Sequence, residues 1–153
     1  MICGSQIWDD NSKYEGEWEN GQFNGLGIYY YSNGKKYIGE WKNSLKDGVG
    51  ELVWPEGKKY VGYFKNDEIN GIGIYYLYKD CYIINFWKKG KRDGLGKYIK
   101  GNDITYGKWK ENNLIKNMNE SDFFQLFIDD KKKYLNIFKW DIKEIEKFMK
   151  INQ

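Results

Sequence analysis

The chain has 153 residues, enough for one domain and short for two, and its 25 basic and 22 acidic side chains give a net charge of +3. Aromatic residues make up 19% of the sequence, and 18 glycines accompany a single proline. Because aromatic residues favour strands and glycine marks tight turns, this composition predicts β-structure and argues against a disordered chain. The small excess of positive charge permits an anionic partner without requiring one.

The composition also excludes most catalytic and metal-binding chemistry. There is no histidine, and Cys3 and Cys81 are the only cysteines, so the usual general base, a structural zinc site and a disulfide framework are all missing. No glycine loop for a dinucleotide or a phosphate occurs. We therefore expect no enzymatic activity, no cofactor and no metal. Without a membrane-length apolar run or a secretory signal, we expect a soluble protein of the cytoplasm.

A 23-residue repeat organises the chain from its first residues onward. The segment YEGEW at 14–18 returns as YIGEW at 37–41 and as YVGYF at 60–64. A glycine-aliphatic-glycine triplet recurs in the same phase, at 25–27, 48–50, 71–73 and 94–96. Self-similarity at a fixed period indicates a repeat architecture. The predicted array at 1–116 consists of a half repeat at 3–13, repeats at 14–36, 37–59, 60–82 and 83–104, and a final strand at 105–110.

Each unit resembles the MORN repeat (membrane occupation and recognition nexus), whose pattern is YxGxWxxGxxxGxGxxxxxxGxx. The fourth unit departs most, with Ile83 and Asn85 in the places of tyrosine and glycine. The resemblance implies an elongated, curved, single-layered sheet. It also implies adaptor or scaffold roles at cytoskeletal, ciliary or membrane-associated assemblies. The first unit matches the pattern at Tyr14, Gly16, Trp18, Gly21, Gly25, Gly27 and Gly34.

Alternation along each strand places residues i, i+2 and i+4 on one face. Tyr14, Gly16 and Trp18 therefore share a face, while Glu15 and Glu17 point to the other. Asn-Gly pairs at 20–21 and 33–34 supply the positive-φ residues of tight hairpins. We predict a mostly β fold, a curved antiparallel meander of about ten strands, followed by a short helical C-terminal tail.

The aromatic residues in phase with the repeat have two interpretations. They can hold neighbouring hairpins together, as in other stacked-repeat proteins. They can also line a trough that binds a protein partner, since tyrosine and tryptophan anchor interfaces and an apolar helix fits such a groove. The predicted partner-binding residues are Tyr14, Trp18, Tyr29, Tyr31, Tyr37, Trp41, Trp54, Tyr60, Phe64, Tyr75 and Trp87.

Lysines at the same turn of successive repeats suggest an alternative function. Lys35, Lys36, Lys58 and Lys59 would lie along one edge of the sheet and could attract anionic phospholipid headgroups. A solvated edge that resists aggregation is the other reading of the same residues. The near balance of charge argues against a nucleic-acid partner. A homodimer is left open.

The tail at 117–153 differs from the array because it contains no glycine. An Asn-Glu-Ser-Asp start at 119–122 favours a helix beginning near Ser121, and apolar spacing predicts two or three short helices. The tail can cap the last hairpins, whose exposed edge would otherwise pair with another chain. Its end can also dock elsewhere through Trp140, Ile142, Ile145, Phe148 and Met149.

Overall fold

The computed structural model describes residues 1–138, with side chains through residue 129. They form one antiparallel sheet of 11 strands, paired in chain order, and one helix follows it. The strands are β1 (Ile2–Ile7), β2 (Lys13–Glu19), β3 (Gln22–Tyr30), β4 (Lys36–Lys42), β5 (Leu45–Val53), β6 (Lys59–Lys65), β7 (Glu68–Tyr78), β8 (Cys81–Lys88), β9 (Lys91–Lys100), β10 (Asp103–Lys110) and β11 (Asn113–Met118), and the helix is α1 (Glu120–Phe138).

The predicted antiparallel meander of hairpins is confirmed, with one strand more than the repeat pattern indicated. β11 lies beyond the final strand expected at 105–110 and pairs with β10 from Tyr106↔Met118 to Lys110↔Asn113. It also crosses the boundary expected between residues 116 and 117. β11 carries none of the repeat's glycines or aromatic residues, so the pattern contains no sign of it.

A column of paired glycines crosses the sheet. Gly16 lies opposite Gly27, and Gly39 lies opposite both Gly27 and Gly50. A Cβ built on Gly16 would lie 2.4 Å from the Cα of Gly27, closer than two such atoms can come. Glycine is therefore required here by the close approach of neighbouring strands and of the tyrosine rings that cover them.

The two faces of the sheet carry different apolar cores. The aromatic face presents the repeat tyrosines and tryptophans, and most of its core belongs to the first three repeats. Residues that alternate with these point to the opposite face. There the buried cluster consists of residues from β7, β8, β9 and α1, namely Ile72, Ile74, Ile84, Phe86, Leu95, Ile99, Phe123 and Phe127.

Helix α1 covers the C-terminal half of the opposite face. Its start is capped by Asn119, whose side-chain oxygen accepts a hydrogen bond from the backbone N–H of Asp122 at 2.8 Å. Phe123 is fully buried, and the centre of its ring lies 5.0 Å from that of Tyr106 in β10. The described part of the tail thus packs on a face of the sheet, whereas five of the six residues of the edge strand β11 are exposed.

The expected division of the tail into two or three short helices is not what the described residues show. They form one helix of 19 residues, which continues through the lysines at 131–133. The predicted docking residues lie outside the described residues, and their role stays a prediction; they are Trp140, Ile142, Ile145, Phe148 and Met149.

Candidate interaction surface

The first tyrosine of each of the first three repeats is a structural clamp. Tyr14, Tyr37 and Tyr60 have no exposed surface. Their hydroxyls donate to the backbone oxygen three residues later, at 2.9, 3.0 and 3.2 Å. Burial raises the pKa of Tyr14 to about 12 and places the pKa values of Tyr37 and Tyr60 well above the ordinary value. The phenols therefore stay neutral. Each hydroxyl bonds within its own strand, and each ring packs over a glycine of the next strand.

The tryptophans of the repeats form a second set of links between strands. The indole N–H of Trp41 donates to the carbonyl of Gly27 at 3.1 Å, and that of Trp87 donates to the carbonyl of Gly73 at 3.4 Å. Trp18 makes the equivalent bond to Gly4 at 3.2 Å but remains half-buried. Each bond ties a strand to the strand immediately before it in the sheet, so these side chains stabilise the array.

Burial narrows the predicted partner-binding set. A side chain with less than a tenth of its surface exposed cannot contact a partner unless the sheet opens, and six of the predicted residues are in that condition: Tyr14, Tyr37, Trp41, Tyr60, Phe64 and Trp87. In the structure these side chains pack between hairpins, and their role as contact residues stays a prediction. The half-buried residues that remain available are Trp18, Tyr29, Tyr31, Trp54 and Tyr75.

The available aromatic side chains are concentrated along one side of the aromatic face. We call Trp8, Tyr29, Tyr31, Trp54 and Tyr75 the aromatic strip; all five pack on the buried cluster and keep part of their surface exposed. Ring centres of Trp8 and Tyr29 lie 5.7 Å apart, those of Tyr29 and Tyr31 4.6 Å, and those of Trp54 and Tyr75 5.4 Å. Trp8 was missed as a site residue, although its phase with Trp54 was a signal for it.

A half-buried lysine lies beside the strip and was not foreseen. The ammonium of Lys46 donates to the hydroxyl of Tyr31 at 3.2 Å and lies 3.6 Å from the carboxylate of Asp67. Burial lowers the pKa of Lys46, although Asp67 acts in the opposite direction. Lys35 lies over the same Tyr31 ring, 4.9 Å from its centre. The strip therefore combines aromatic surface with two fixed cations.

The fourth repeat replaces the tyrosine clamp with a different polar group. The Asn85 side chain occupies the space over Gly96 and donates to the backbone oxygen of Phe86 at 2.7 Å. That oxygen is in phase with those bound by the tyrosine hydroxyls. Arg92 donates from Nε to the Asn85 side-chain oxygen at 3.1 Å and lies over the Trp109 ring at 3.6 Å. Asn85 thus keeps the bond to the same backbone oxygen of its own strand, and its bond from Arg92 links β8 to β9.

The lysines of the lipid alternative do not form a single patch. Lys58 is exposed in a turn, and Lys35 lies against Tyr31 on the aromatic face. Lys36 and Lys59 belong to strands β4 and β6, where alternation directs them to the opposite face. The Lys59 ammonium lies 4.9 Å from the centre of the Tyr76 ring. The four charges are therefore divided between two faces.

In the part of the chain that the structure describes, no cluster of three or more acidic or cysteine side chains could hold a metal ion. The helix of that part is not both long and apolar enough to cross a membrane.

No curated protein matches the sequence. A family model described as the MORN repeat does match, at residues 14–36, 37–59, 60–82 and 86–103.

Proposed function

Because the chain belongs to the MORN repeat family, we propose that it is a non-enzymatic adaptor or scaffold subunit that binds an apolar helix of a partner protein at the aromatic strip. The observation that carries this proposal is the strip itself. On a face whose other aromatic residues are packed against one another, Trp8, Tyr29, Tyr31, Trp54 and Tyr75 keep exposed surface on a rigid sheet. Rigid, partly exposed tyrosine and tryptophan side chains are the residues that anchor protein interfaces.

The dimensions of the strip suit a short helix. Tyr29 lies in β3 and Tyr75 in β7, four strands apart in the sheet. At a strand spacing of about 4.8 Å, this distance is roughly 19 Å. A helix rises about 1.5 Å per residue, so roughly 13 residues would cover it. An amphipathic helix of three to four turns, lying across the strands with its apolar side on the rings, is the proposed occupant.

Charge beside the strip gives the partner a second requirement. Lys35 and Lys46 both lie near the Tyr31 ring, while the Asp67 carboxylate offsets part of the Lys46 charge. A partner helix with an acidic residue near one end would complement this part of the surface. A location in the cytoplasm, at cytoskeletal, ciliary or membrane-associated assemblies, is part of the proposal and is supported by the family resemblance.

The test is to truncate the strip without touching the buried clamps. Tyr31→Ala combined with Trp54→Ala removes two half-buried rings, and Leu26→Ala with Val49→Ala is the matched control on the opposite face. Affinity purification with quantitative mass spectrometry should show a specific partner that the strip variant loses by roughly tenfold or more and the control retains. Equal recovery of every partner by both variants would reject the strip as the binding site.

The alternative, binding of anionic phospholipid through Lys35, Lys36, Lys58 and Lys59, has less support. Membrane attraction grows with the number of charges that approach the surface together, about 1 kcal/mol for each lysine. Division of these lysines between two faces lowers the number that one flat membrane can meet. The liposome experiment in the Discussion decides whether this alternative contributes.

A further inference from the structure

An open cavity of about 290 Å³ lies at the N-terminal end of the sheet. It is bordered by the edge strand β1, whose six residues are all exposed, and by the β2–β3 turn. Ile2, Gly4 and Gln6 alternate along β1 and pair with Trp18, Gly16 and Tyr14, which places them on the aromatic face. The residues that line the cavity are Ile2, Gly4, Ser5, Gln6, Trp18, Asn20 and Gly21.

Inside the array, the equivalent position is filled by a tyrosine ring. Gly4 precedes Gly27 by one repeat, and Gly50 and Gly73 follow in the same phase. A Cβ built on Gly27, Gly50 or Gly73 would lie 2.2, 2.3 or 2.1 Å from the hydroxyl of the tyrosine that covers it. At Gly4, the nearest atom to such a Cβ is in the Trp18 indole, 3.5 Å away. The surface over Gly4 therefore corresponds to the surfaces that tyrosine rings cover in the later repeats, but no tyrosine ring covers it.

The ring contacts of the repeat tryptophans lead to the same conclusion. Trp41 packs edge-on against Tyr37 of its own repeat at 4.9 Å and against Tyr14 of the preceding repeat at 5.6 Å. Phe64 likewise contacts Tyr60 at 5.3 Å and Tyr37 at 5.1 Å. Trp18 packs against the tyrosine of its own repeat, and the cavity lies where a preceding tyrosine would be.

The adjacent turn is open in the same way. In the later hairpins, the backbone N–H of Ser44 donates to Phe23, and that of Asp67 donates to Lys46, each on the preceding hairpin. Gly21 is the equivalent residue of the first hairpin, and it lines the cavity. A strand added to β1 would thus meet a surface shaped for a tyrosine ring at Gly4. Beside it lies a turn in which the backbone N–H of Gly21 can donate a hydrogen bond.

We propose that β1 and this cavity form a binding site for an extended segment of a partner protein that carries tyrosine two residues before glycine. The segment would add to the sheet as an antiparallel strand, with main-chain hydrogen bonds to β1. Its glycine would lie opposite Gly4 and its tyrosine opposite Gln6, as Tyr14 lies opposite Tyr29 and Gly16 opposite Gly27. The tyrosine ring would then cover Gly4 and pack against Trp18.

No strand of the described residues 1–138 is free to be the occupant. The chain's own tyrosine-x-glycine strands with this register, β2, β4 and β6, are already paired on both sides within the sheet. A second copy of β1 would offer Ile2 or Gln6 on either side of its glycine, and neither is aromatic. The site is separate from the aromatic strip, because the residues that form it belong to β1, the end of β2 and the β2–β3 turn, and none of them is a strip residue.

The probe for this site is a capped peptide with the sequence of residues 36–42, KYIGEWK, whose tyrosine covers Gly50 in the folded chain. Added to the isotope-labelled protein at up to about 1 mM, it should shift the amide resonances of β1 and the indole resonance of Trp18. The same peptide carrying Tyr37→Ala should bind roughly tenfold or more weakly, because the ring supplies the central contact.

The matched variants are Gly4→Leu and Cys3→Leu, neighbours on β1 with side chains on opposite faces. A Cβ on Gly4 meets only ordinary contacts in the fold, so Gly4→Leu should block the peptide while the spectrum stays that of a folded protein. Cys3 does not line the cavity, so Cys3→Leu should leave binding unchanged. The proposal is overturned if no β1 resonance shifts at 1 mM, if Tyr37→Ala binds equally, or if both variants bind alike. If the protein dimerises without the peptide and Gly4→Leu abolishes the dimer, a second copy of the chain occupies the site. That result would overturn the choice of a partner protein. The peptide experiment is independent of the proposed function, because a failure to find a partner at the aromatic strip would not change its outcome.

Discussion

The opposite face of the sheet is bare in the first two repeats and covered by α1 in the last two, although the backbone repeat is the same throughout. Leu26 and Val49 are 63% and 40% exposed, whereas Ile72 and Leu95, in the same phase, have no exposed surface. One repeat architecture therefore supports two arrangements, a sheet open to solvent on one face and a sheet packed against a helix.

The residue just before the repeat's tryptophan explains this difference. In the first two repeats it is Glu17 or Glu40, and its carboxylate accepts a hydrogen bond from the backbone N–H of Leu26 or Val49. In the third and fourth repeats it is Tyr63 or Phe86, and both belong to the cluster under α1. A carboxylate at this position keeps the face polar, and an aromatic ring makes it a packing surface.

The largest expected effect comes from breaking the helix-covered half. Phe123→Ala removes a fully buried ring from the cluster under α1, and we expect a loss of about 3–5 kcal/mol in the free energy of unfolding. Ile128→Ala, on the exposed side of the same helix, is the control and should change little. Urea unfolding followed by tryptophan fluorescence measures both. Equal losses for the two variants would mean that α1 is not held by Phe123.

The next effect tests the tyrosine clamp of the open half. A Cβ on Gly50 would lie 2.3 Å from the Tyr37 hydroxyl, while one on Gly4 would meet only the Trp18 indole at 3.5 Å. Gly50→Ala should therefore lose about 1–3 kcal/mol of stability, and Gly4→Ala, in the same phase at the uncovered edge, should lose much less. Thermal unfolding by circular dichroism compares them. A cost at Gly4 as great as at Gly50 would contradict the assignment of the cavity.

Alkaline pH should weaken the aromatic core. Burial raises the pKa of Tyr14 and of Tyr31 to about 12, above the value of 10.0 expected in the unfolded chain. Their contribution to stability is complete below pH 10, and it is lost as the pH rises from 10 through 12. Unfolding midpoints at pH 9, 10 and 11 should fall, and less steeply in Tyr14→Phe. A midpoint that does not change up to pH 11 would disagree with buried, neutral phenols.

A smaller effect concerns the carboxylates of the open half. Glu40→Leu removes the acceptor for the Val49 amide and should lower the free energy of unfolding by about 1 kcal/mol. Glu40→Gln keeps an oxygen acceptor and should recover part of the loss. Glu51→Leu, on the same face of β5, controls for the added apolar surface. If Glu40→Leu instead stabilises the protein and causes it to self-associate, the introduced leucine packs between copies of the chain, and the expected loss is contradicted.

The smallest effect on stability is expected from charge reversal at Lys35, Lys36, Lys58 and Lys59. Surface changes of this kind usually alter stability by less than about 0.5 kcal/mol for each residue. Binding to anionic liposomes at low salt should be abolished if these lysines attract headgroups, and added salt should weaken it in the parent. Parent protein that ignores such liposomes would remove the lipid alternative and leave the aromatic strip as the site.

The repeat phase was enough to predict the hairpins and their pairing in chain order. It could not show which aromatic residues are buried, because Tyr37 and Tyr31 are the same residue type and differ only in what surrounds each ring. Alternation places Glu17 on the opposite face, but the bonds of Glu17 and Glu40 to backbone amides depend on a local irregularity of the strand pairing, which the phase does not reveal. The change from Glu40 to Tyr63 in phase was a readable sign of the helix-covered half.

The turns connect each hairpin to the one before it, and this has a consequence for the order of unfolding. Backbone N–H groups of Asp67 and Gly90 donate to carbonyls of Lys46 and Ile69, so each hairpin is held chiefly by its immediate neighbours. Helix α1 secures β7 to β10, while β1 has a neighbour on one side only. Hydrogen exchange should therefore be fastest in β1 and β2 and slowest in β7 to β9, as the sheet frays from its N-terminal edge inward.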